Sequence, residues 1–279
     1  MNSTGRDCIT MPTNLCVVGA TGKFGRSIIS LTDSSIKVTG AVSSDTNPLV
    51  GKPITDVGGK SPSVLITRAS EIERAAANSD VVLFVSTAIS DLNNIPKIIQ
   101  LDKRIVVGTT GFDTTQYERL RSMLKEVPSV LTSNFAVGAN ILFRIAKLLS
   151  GFSDIYDYSI IEHHHKMKSD APSGTAKTIH EILNSQAAFS RVVTDRTMKP
   201  KRDHGEIEIF SLRGGGTPGI HQLILAGEYE RIVVEHLAFS RAASAVGALI
   251  ACKWIASKMS PGIYSMQDVL NLNDPKSAT

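Results

Sequence analysis

From Leu15 onward, short apolar runs alternate with stretches in which apolar residues recur at helical spacing. The apolar runs are LCVVGA, VTGAV, VVLFVS, RIVVGTT and SVLTSNF, and the other stretches are FGRSIISL, SEIERAAANS, DLNNIPKIIQLD and TTQYERLRSMLKEV. Apolar strands that alternate with amphipathic helices indicate a parallel sheet covered on both faces. The pattern predicts a doubly wound α/β domain, in which the helix within DLNNIPKIIQLD is bent at Pro96 or begins there.

The pattern changes after Asn134. GANILFRIAKLLS predicts a connecting helix, and YDYSIIEHHH, EIEIFSLR, HQLILAGEYE and RIVVEHLAFS predict longer strands, several with alternating polar and apolar residues. One face of such a sheet meets water, a ligand or another subunit. We therefore expect two domains, a dinucleotide-binding one over residues 14–135 and 242–279 and a substrate-binding, oligomerisation one over residues 136–241, with residues 1–13 as a loose extension.

Composition and charge exclude several classes of protein. The 279 residues are 42% hydrophobic and carry a net charge of +4 without a concentrated basic face, so we expect no nucleic-acid partner. The N-terminus lacks the apolar core of a secretory signal, and the longest apolar stretch is too short to cross a bilayer. Three widely spaced cysteines suggest neither a disulfide framework nor a zinc finger. A soluble cytoplasmic protein without a membrane partner fits these observations.

A glycine-rich turn follows the first strand. VVGATGKFGRSII places Gly19, Gly22 and Gly25 between a strand and a helix, where dinucleotide folds need a tight turn and close approach to a pyrophosphate. The helix N-terminus offers free N–H groups to phosphates, and Lys23 adds a cation. Thr21 occupies the place of the middle glycine in the commoner fingerprint. A turn without a ligand is the alternative interpretation.

The end of the second strand is expected to face the cofactor ribose. AVSSDT places Ser43 and Ser44 there, with Asp45 next in the chain. Asp45 is suited to the ribose of NADH, and the two hydroxyls also tolerate the 2′-phosphate of NADPH. No arginine or lysine stands beside them in the sequence, so the choice between NADH and NADPH stays open with a lean towards NADH.

The stretch IIEHHHKMKSDAPSGTA, residues 160–176, carries most of the reactive side chains. In a strand, His163 and His165 share one face while His164 lies on the other with Glu162, so the three histidines do not converge on a metal ion. We therefore predict no metal site. Histidine and lysine near a strand end are suited to proton transfer instead. A charged, solvated edge is the alternative.

The PSGT turn that follows is expected to begin a helix. Ser173, Gly174 and Thr175 lie at or near its N-terminus, where hydroxyls and free N–H groups form a site of the right size for a carboxylate. Ser173 is also expected to cap the helix.

The same stretch resembles the 4-hydroxy-tetrahydrodipicolinate reductase (dihydrodipicolinate reductase) family of the bacterial diaminopimelate–lysine pathway. The family motif E-x-H-H-x-x-K-x-D-x-P-S-G-T-A fits from Glu162 to Ala176. VVGATGKFGR, VVGTTGF, SNFAVGAN, FSRAASAVGA and GIYSMQDVLNL are also similar to segments of the family, so the resemblance covers about residues 14–272. It implies a Rossmann-like domain, a second domain with an open mixed sheet, and a homotetramer assembled through that sheet.

The resemblance also implies the reaction and its residues. The family reduces a small cyclic dicarboxylate, 4-hydroxy-tetrahydrodipicolinate, to tetrahydrodipicolinate with NADH or NADPH. By position, His164 is a proton donor or acceptor and Lys168 a proton donor, while the substrate carboxylates are bound by His165, Gly174 and Thr175, with Ser173 in the same turn. The residues expected to contact the cofactor are Gly19, Ala20, Thr21, Gly22, Lys23, Phe24, Ser44, Asp45, Gly108, Thr109, Thr110, Thr132, Ser133, Asn134 and Phe135.

The chain departs from the family pattern at three places. Met167 stands where many members have a histidine, and Phe84, Val85 and Ser86 replace an acidic residue and a Phe-Thr pair. At the ribose position Ser44 replaces an acid and Asp45 an arginine. These departures concern cofactor choice more than reaction type.

Two other functions fit the sequence less well. A thioester-forming dehydrogenase needs a nucleophilic cysteine, but Cys8 lies in the extension, Cys16 in the first strand and Cys252 in an apolar helix. A nicotinamide-sensing module without turnover would be expected to lack the intact acid pair and anion-binding turn.

Overall fold

The computed structural model describes residues 11–187, 189–197 and 201–273. These described residues form two compact units, one of residues 11–132 and 245–269 and the other of residues 133–244 and 270–273. Cys8 and most of the predicted extension lie outside the described residues. Met11 and Pro12 directly precede the first strand.

The first unit contains a seven-stranded parallel sheet. Its strands are β1 (Thr13–Val18), β2 (Ile36–Ser43), β3 (Ile66–Arg68), β4 (Val81–Phe84), β5 (Arg104–Val107), β6 (Pro128–Leu131) and, near the end of the chain, β12 (Gly262–Tyr264). The spatial order is β12-β6-β5-β4-β1-β2-β3. Apart from β12 at the edge, this is the 3-2-1-4-5-6 order of the Rossmann fold. The predicted doubly wound domain is confirmed.

Helices follow most of these strands. They are α1 (Lys23–Ser30), α2 (Ile72–Ala76), α3 (Ala88–Ile99) and α4 (Thr114–Leu124), and the end of the chain adds α7 (Ala242–Ala256) and α8 (Met266–Val269). Cys16 and Val18 of β1 pack in one apolar cluster with α2, α3 and α4. Leu15 and Val17 are equally buried but point to the other face, because side chains alternate along a strand. Both faces of the sheet are therefore covered, which explains its continuous apolar strands.

Helix α3 decides between the two alternatives for Pro96, because the helix does not begin at this residue. It begins at Ala88, where the Thr87 hydroxyl accepts a hydrogen bond from the Ser90 N–H, and Pro96 lies inside it. Leu92, Ile95 and Ile98 of this helix are buried against the sheet. The N-terminal cap and this apolar face outweigh the hydrogen bond that proline cannot donate.

The second unit contains a five-stranded mixed sheet in the order β11-β10-β7-β9-β8. Its elements are α5 (Val137–Leu149), β7 (Asp157–His164), α6 (Gly174–Ala187), β8 (Arg191–Val193), β9 (Glu206–Arg213), β10 (Gly219–Ala226) and β11 (Arg231–Ala238). Strand β10 runs antiparallel to β7 and β11, and β9 runs parallel to β7 and β8. This confirms the predicted second α+β domain with a mixed sheet.

One face of this sheet packs against α5 and α6. Tyr158 and Ile160 of β7 are fully buried there with Leu223 of β10, whereas Ile161 and Ile224 on the other face are only half-buried. The alternating sequence pattern of these strands reflects this difference. Three strands of only three residues, β3, β8 and β12, escaped the sequence analysis because so short a run has no readable period.

Candidate active site

The glycine turn joins β1 to α1 with little room for side chains. Gly19 has a φ of +92°, and a Cβ atom placed on Gly25 would lie 2.2 Å from the carbonyl oxygen of Gly19. Gly22 is the N-cap residue of α1. Because glycine has no side chain, it makes no side-chain hydrogen bond to the first N–H groups of the helix. The turn therefore has the close helix–strand packing and the glycine at the start of the helix that suit a pyrophosphate.

Polar side chains brace this turn. The hydroxyl oxygens of Thr21 and Ser43 lie 2.7 Å apart, and the Asn47 side-chain amide donates to the Thr21 hydroxyl at 3.1 Å. These contacts join the carboxyl ends of β1 and β2, and Asn47 could not have been connected to the turn from the sequence alone. The expected cofactor residues of the first unit all follow carboxyl ends of its parallel strands: Gly19–Phe24 after β1, Ser44 and Asp45 after β2, Gly108–Thr110 after β5, and Thr132 after β6.

Around the expected ribose position the structure corrects one inference. The sequence places no basic residue beside Ser43 and Ser44, but the parallel pairing of β2 with β3 sets Arg68 directly opposite Ser43. Asp45, the residue expected at the ribose, accepts a hydrogen bond from the Ser70 N–H at 3.0 Å. That hydrogen bond lowers the pKa of the Asp45 carboxyl, and the charge of Arg68 adds to the effect.

A buried acid lies under the carboxyl ends of β4 and β5. Asp91 is inaccessible to solvent and accepts a hydrogen bond from the Ser86 hydroxyl, while the Ser86 N–H donates to the Thr109 hydroxyl at 3.0 Å. Burial raises the pKa of Asp91 to about 6, although its hydrogen bonds to Ser86 and Thr109 oppose the shift. No sequence pattern pointed to Asp91, which lies five residues after Ser86, on α3. The cluster fixes Thr109, an expected cofactor contact.

In the second unit, the centre of the predicted reactive stretch is Glu162. It is fully buried on β7, and Arg213 of β9 donates to both carboxylate oxygens, from Nη1 to Oε2 at 3.0 Å and from Nη2 to Oε1 at 2.8 Å. The Nδ1 atom of His164 makes a short hydrogen bond to Oε2, and the Ser173 N–H donates to Oε1 at 3.2 Å. As predicted, His164 and Glu162 share one face of the strand.

Protonation of this group follows from its surroundings. Burial would raise the pKa of Glu162, but the hydrogen bonds from Arg213, Ser211 and His164 outweigh it and hold this pKa at about 2. Burial also lowers the pKa of His164, with smaller contributions in the same direction from Lys168 and Arg213, while Glu162 opposes the shift. We therefore assign His164 as neutral near pH 7, with Nδ1–H directed to Glu162 and the Nε2 lone pair free to exchange a proton.

A second histidine, His221, lies beside Glu162, His164 and Ser173. His221 lies opposite Glu162 across the β7–β10 pair, its ring meets that of His164 edge to face at 5.1 Å, and its Nε2 is 3.3 Å from the Ser173 hydroxyl. Burial lowers the pKa of His221 to about 3, so it is neutral. Neither His221 nor Arg213 could be connected with the motif from the sequence, because both are more than 35 residues away from it along the chain.

The turn after β7 holds the remaining expected residues. His165 lies just beyond the end of β7, and the Lys168 ammonium pairs with Asp170 at 2.6 Å. Ser173 is buried, and its hydroxyl accepts a hydrogen bond from the Ala176 N–H at 3.3 Å, so the predicted cap of α6 is present. Gly174 at the first position of α6 is exposed, and no atom lies within 4 Å of the position that its Cβ would take.

Thr175 connects this turn to another expected contact. Its hydroxyl accepts a hydrogen bond from the Asn134 side-chain amide at 3.1 Å, and the side-chain oxygen Oδ1 of Asn134 accepts one from the Ala136 N–H at 2.9 Å. Ser133 and Phe135, also expected at the cofactor, belong with Asn134 to the second unit. Phe135 is buried and Ser133 is exposed.

Comparison with known proteins shows the family to which the chain belongs. The family model described as dihydrodipicolinate reductase, N-terminus, matches residues 13–135, and the one described as dihydrodipicolinate reductase, C-terminus, matches residues 138–270. The chain belongs to the dihydrodipicolinate reductase family. It is therefore an oxidoreductase of the family that the motif indicated.

Relatives of the reductase family match along most of their length. The 4-hydroxy-tetrahydrodipicolinate reductase of Methanopyrus kandleri is 35% identical, over 91% of this chain and 95% of its own. That of Aquifex aeolicus is also 35% identical, over 94% and 100%. A structure of dipicolinate-bound dihydrodipicolinate reductase from Paenisporosarcina sp. TG-14 superposes with a TM-score of 0.73 at 20% identity, covering 92% of this chain and 99% of its own, and so shares the fold.

Neither cysteine among the described residues suits the alternative thioester chemistry. Cys16 and Cys252 are both fully buried, and burial raises the pKa of the Cys16 thiol to about 12 and that of Cys252 further still. A catalytic cysteine needs an accessible thiolate.

None of the helices in the described ranges is both long and apolar enough to span a membrane.

Proposed function

We propose that this chain reduces 4-hydroxy-tetrahydrodipicolinate to tetrahydrodipicolinate, with NADH or NADPH as reductant and with loss of water. The observation that carries the proposal is the buried Glu162 carboxylate, which is held by Arg213 and in turn holds both His164 and the N–H of Ser173. One anion thereby orders the proton-transfer group and the turn that begins α6.

The first unit binds the cofactor in this proposal. Gly19–Phe24 hold the pyrophosphate, Ser44 and Asp45 lie at the ribose, and Gly108–Thr110 follow the neighbouring strand end that Asp91 supports. Thr132 is the last expected contact in this unit, and Ser133, Asn134 and Phe135 are expected contacts that belong to the second unit. The bound cofactor supplies a hydride, and the tight glycine turn, which a Cβ atom on Gly25 would obstruct, fits a dinucleotide.

The second unit binds the dicarboxylate substrate. Gly174 and Thr175 lie in the first turn of α6, where the N–H groups of a helix N-terminus and the positive end of the helix dipole favour a carboxylate. His165 beside them offers a further donor. Ser173 maintains the turn, because its hydroxyl caps α6 and its N–H is held by Glu162.

Lys168 and His164 divide the proton transfer. Hydride addition to a conjugated imine leaves electron density that must be protonated, and the Lys168 ammonium can supply both that proton and a compensating charge. Its pairing with Asp170 fixes the ammonium near the turn. His164, neutral and oriented through Nδ1, presents Nε2 to accept or return a proton.

The proposal also covers the oligomeric state of the protein and its location in the cell. We expect a homotetramer that forms through the open face of the mixed sheet, where the half-buried Ile161 and Ile224 lie beside the exposed Val233 and Leu237 of β11. Such an apolar surface is typical of a subunit interface. We also expect a cytoplasmic location, which a role in amino-acid biosynthesis favours.

The test supplies the substrate in situ. Pyruvate and aspartate semialdehyde are condensed by the preceding synthase, and oxidation of the reduced nicotinamide is followed by its absorbance. Oxidation that requires both this chain and the synthase product supports the reductase. If the cofactor binds but is not oxidised, the proposal fails and a nicotinamide-sensing module is favoured.

A further inference from the structure

The carboxyl ends of β2 and β3 place a cation at the expected ribose position. The last residues of these two parallel strands, Ser43 and Arg68, are direct neighbours. In a doubly wound fold, the cofactor ribose lies beyond the carboxyl end of the second strand. Arg68 therefore reaches this position from a separate strand, 25 residues after the serine it faces.

Arg68 is available to a ligand. Its side chain is exposed, and no hydrogen bond or ion pair links its guanidinium to another residue in the part of the chain that the structure describes. Arg26, the other nearby arginine, is already committed, since it donates to the carbonyl oxygens of Thr21 and Asp56. Lys23 lies at the start of α1, on the pyrophosphate side of the turn.

Asp45 is less suited to the ribose than the sequence indicated. One of its carboxylate oxygens accepts the Ser70 N–H, in the short 3-10 turn Ala69–Glu71 that directly follows Arg68. This hydrogen bond keeps the carboxylate beside the turn and next to the positive charge of Arg68. Ser44, exposed directly after β2, adds a hydroxyl to this end of the strand.

We infer that Arg68 binds the 2′-phosphate of NADPH and determines that this chain accepts NADPH as well as NADH. The inference rests on the proposed use of a nicotinamide cofactor. A guanidinium binds phosphate oxygens through two parallel hydrogen bonds, and NADH has no 2′-phosphate to receive them. Arg68 is thus a specificity-determining residue, and it replaces the arginine that the family pattern places where Asp45 stands.

Binding measurements with the intact protein test this. Dissociation constants are measured for NADPH and NADH by the change in their fluorescence, and for 2′,5′-ADP and 5′-AMP by displacement of the bound cofactor. R68A should weaken NADPH and 2′,5′-ADP about tenfold to a hundredfold and leave NADH and 5′-AMP within about twofold. R68K should lie between R68A and the unmodified chain for the two phosphate-bearing ligands, because it keeps the charge but loses the planar pair of donors.

The matched control is R74A. Arg74 is also exposed in this region but pairs with Glu71 on the surface, so all four dissociation constants should stay unchanged. If R68A weakens NADH as much as NADPH, or leaves 2′,5′-ADP binding unchanged, the inference is overturned. If the unmodified chain binds 2′,5′-ADP in an Arg68-dependent way but does not reduce the dicarboxylate, the proposed reaction fails while the role of Arg68 stands.

Discussion

Arg213 and Glu162 form a two-bond pair across neighbouring parallel strands, with nitrogen–oxygen distances of 2.8 and 3.0 Å. Glu162 has no exposed surface, so its negative charge is stable only because the guanidinium and other donors surround it. The pair supplies a fixed anion next to His164. The geometry of the proposed proton transfer therefore depends on a residue 49 positions beyond the histidine.

Replacing the Glu162 carboxylate should change the properties of His164 and leave cofactor binding unchanged. In E162Q the imidazolium form of His164 loses its stabilising charge, so the pKa of His164 should fall further. We expect a turnover about ten- to a hundredfold lower and an acid limb of the pH–rate profile shifted to lower pH, with cofactor affinity unchanged. Steady-state kinetics across pH measures this.

The matched control for E162Q is E208Q. Glu208, on β9, also pairs with two arginines, Arg196 and Arg202, but does not contact His164, so its substitution should leave the profile in place. Urea unfolding of both variants separates loss of stability from loss of function. An unchanged pH–rate profile in a folded E162Q protein would contradict the role assigned to Glu162.

Lys168 is expected to carry the proton donated to substrate. K168A should reduce turnover by at least about a hundredfold, the usual contribution of a general acid, and leave the dissociation constant for NADPH near normal. The neighbouring K166A is the control, because Lys166 is exposed and lies outside the proposed site. A K168A protein that retained most of its rate would show that another group donates the proton.

The glycine turn should not tolerate a methyl group at Gly25. In G25A the added Cβ would lie 2.2 Å from the Gly19 carbonyl oxygen, so α1 must move away from β1. We expect a loss of about 1–3 kcal/mol in the free energy of unfolding and clearly weaker cofactor binding. G151A is the control, because its Cβ would meet only the Gln186 side chain, at 3.9 Å. Equal effects of the two substitutions would contradict this account.

Asp91 should make stability depend on pH. Its pKa is about 6 in the folded state, above the ordinary value of 3.8, so the folded chain binds more protons than the unfolded chain between these values. The free energy of unfolding therefore decreases as pH rises through this window. D91N should remove that cost and stabilise the protein by about 1–3 kcal/mol more at pH 7 than at pH 4.

Urea unfolding at several pH values tests the D91N prediction. D33N is the opposite control, because a hydrogen bond from Ser35 lowers the pKa of Asp33 and its ionised form is the stabilised one. A stability difference between D91N and the unmodified chain that did not vary with pH would show that Asp91 is not protonated in the way we describe.

Local patterns in the sequence determined much of this protein. The alternation of apolar runs and amphipathic stretches was enough for the doubly wound sheet, because strand and helix periods are properties of neighbouring residues. The contiguous motif from Glu162 to Ala176 likewise identified the family, the capped start of α6 and the shared face of Glu162 and His164.

Only the tertiary structure decided which distant side chains complete each site. Arg213 reaches Glu162, His221 reaches Ser173, and Arg68 stands opposite Ser43, because strand pairing brings these residues together. Pairing register depends on the packing of whole sheets and on turns far along the chain, so no local pattern encodes it. The burial that shifts the pKa of Asp91 arises in the same way, from side chains that become neighbours only when the sheet and its helices have assembled.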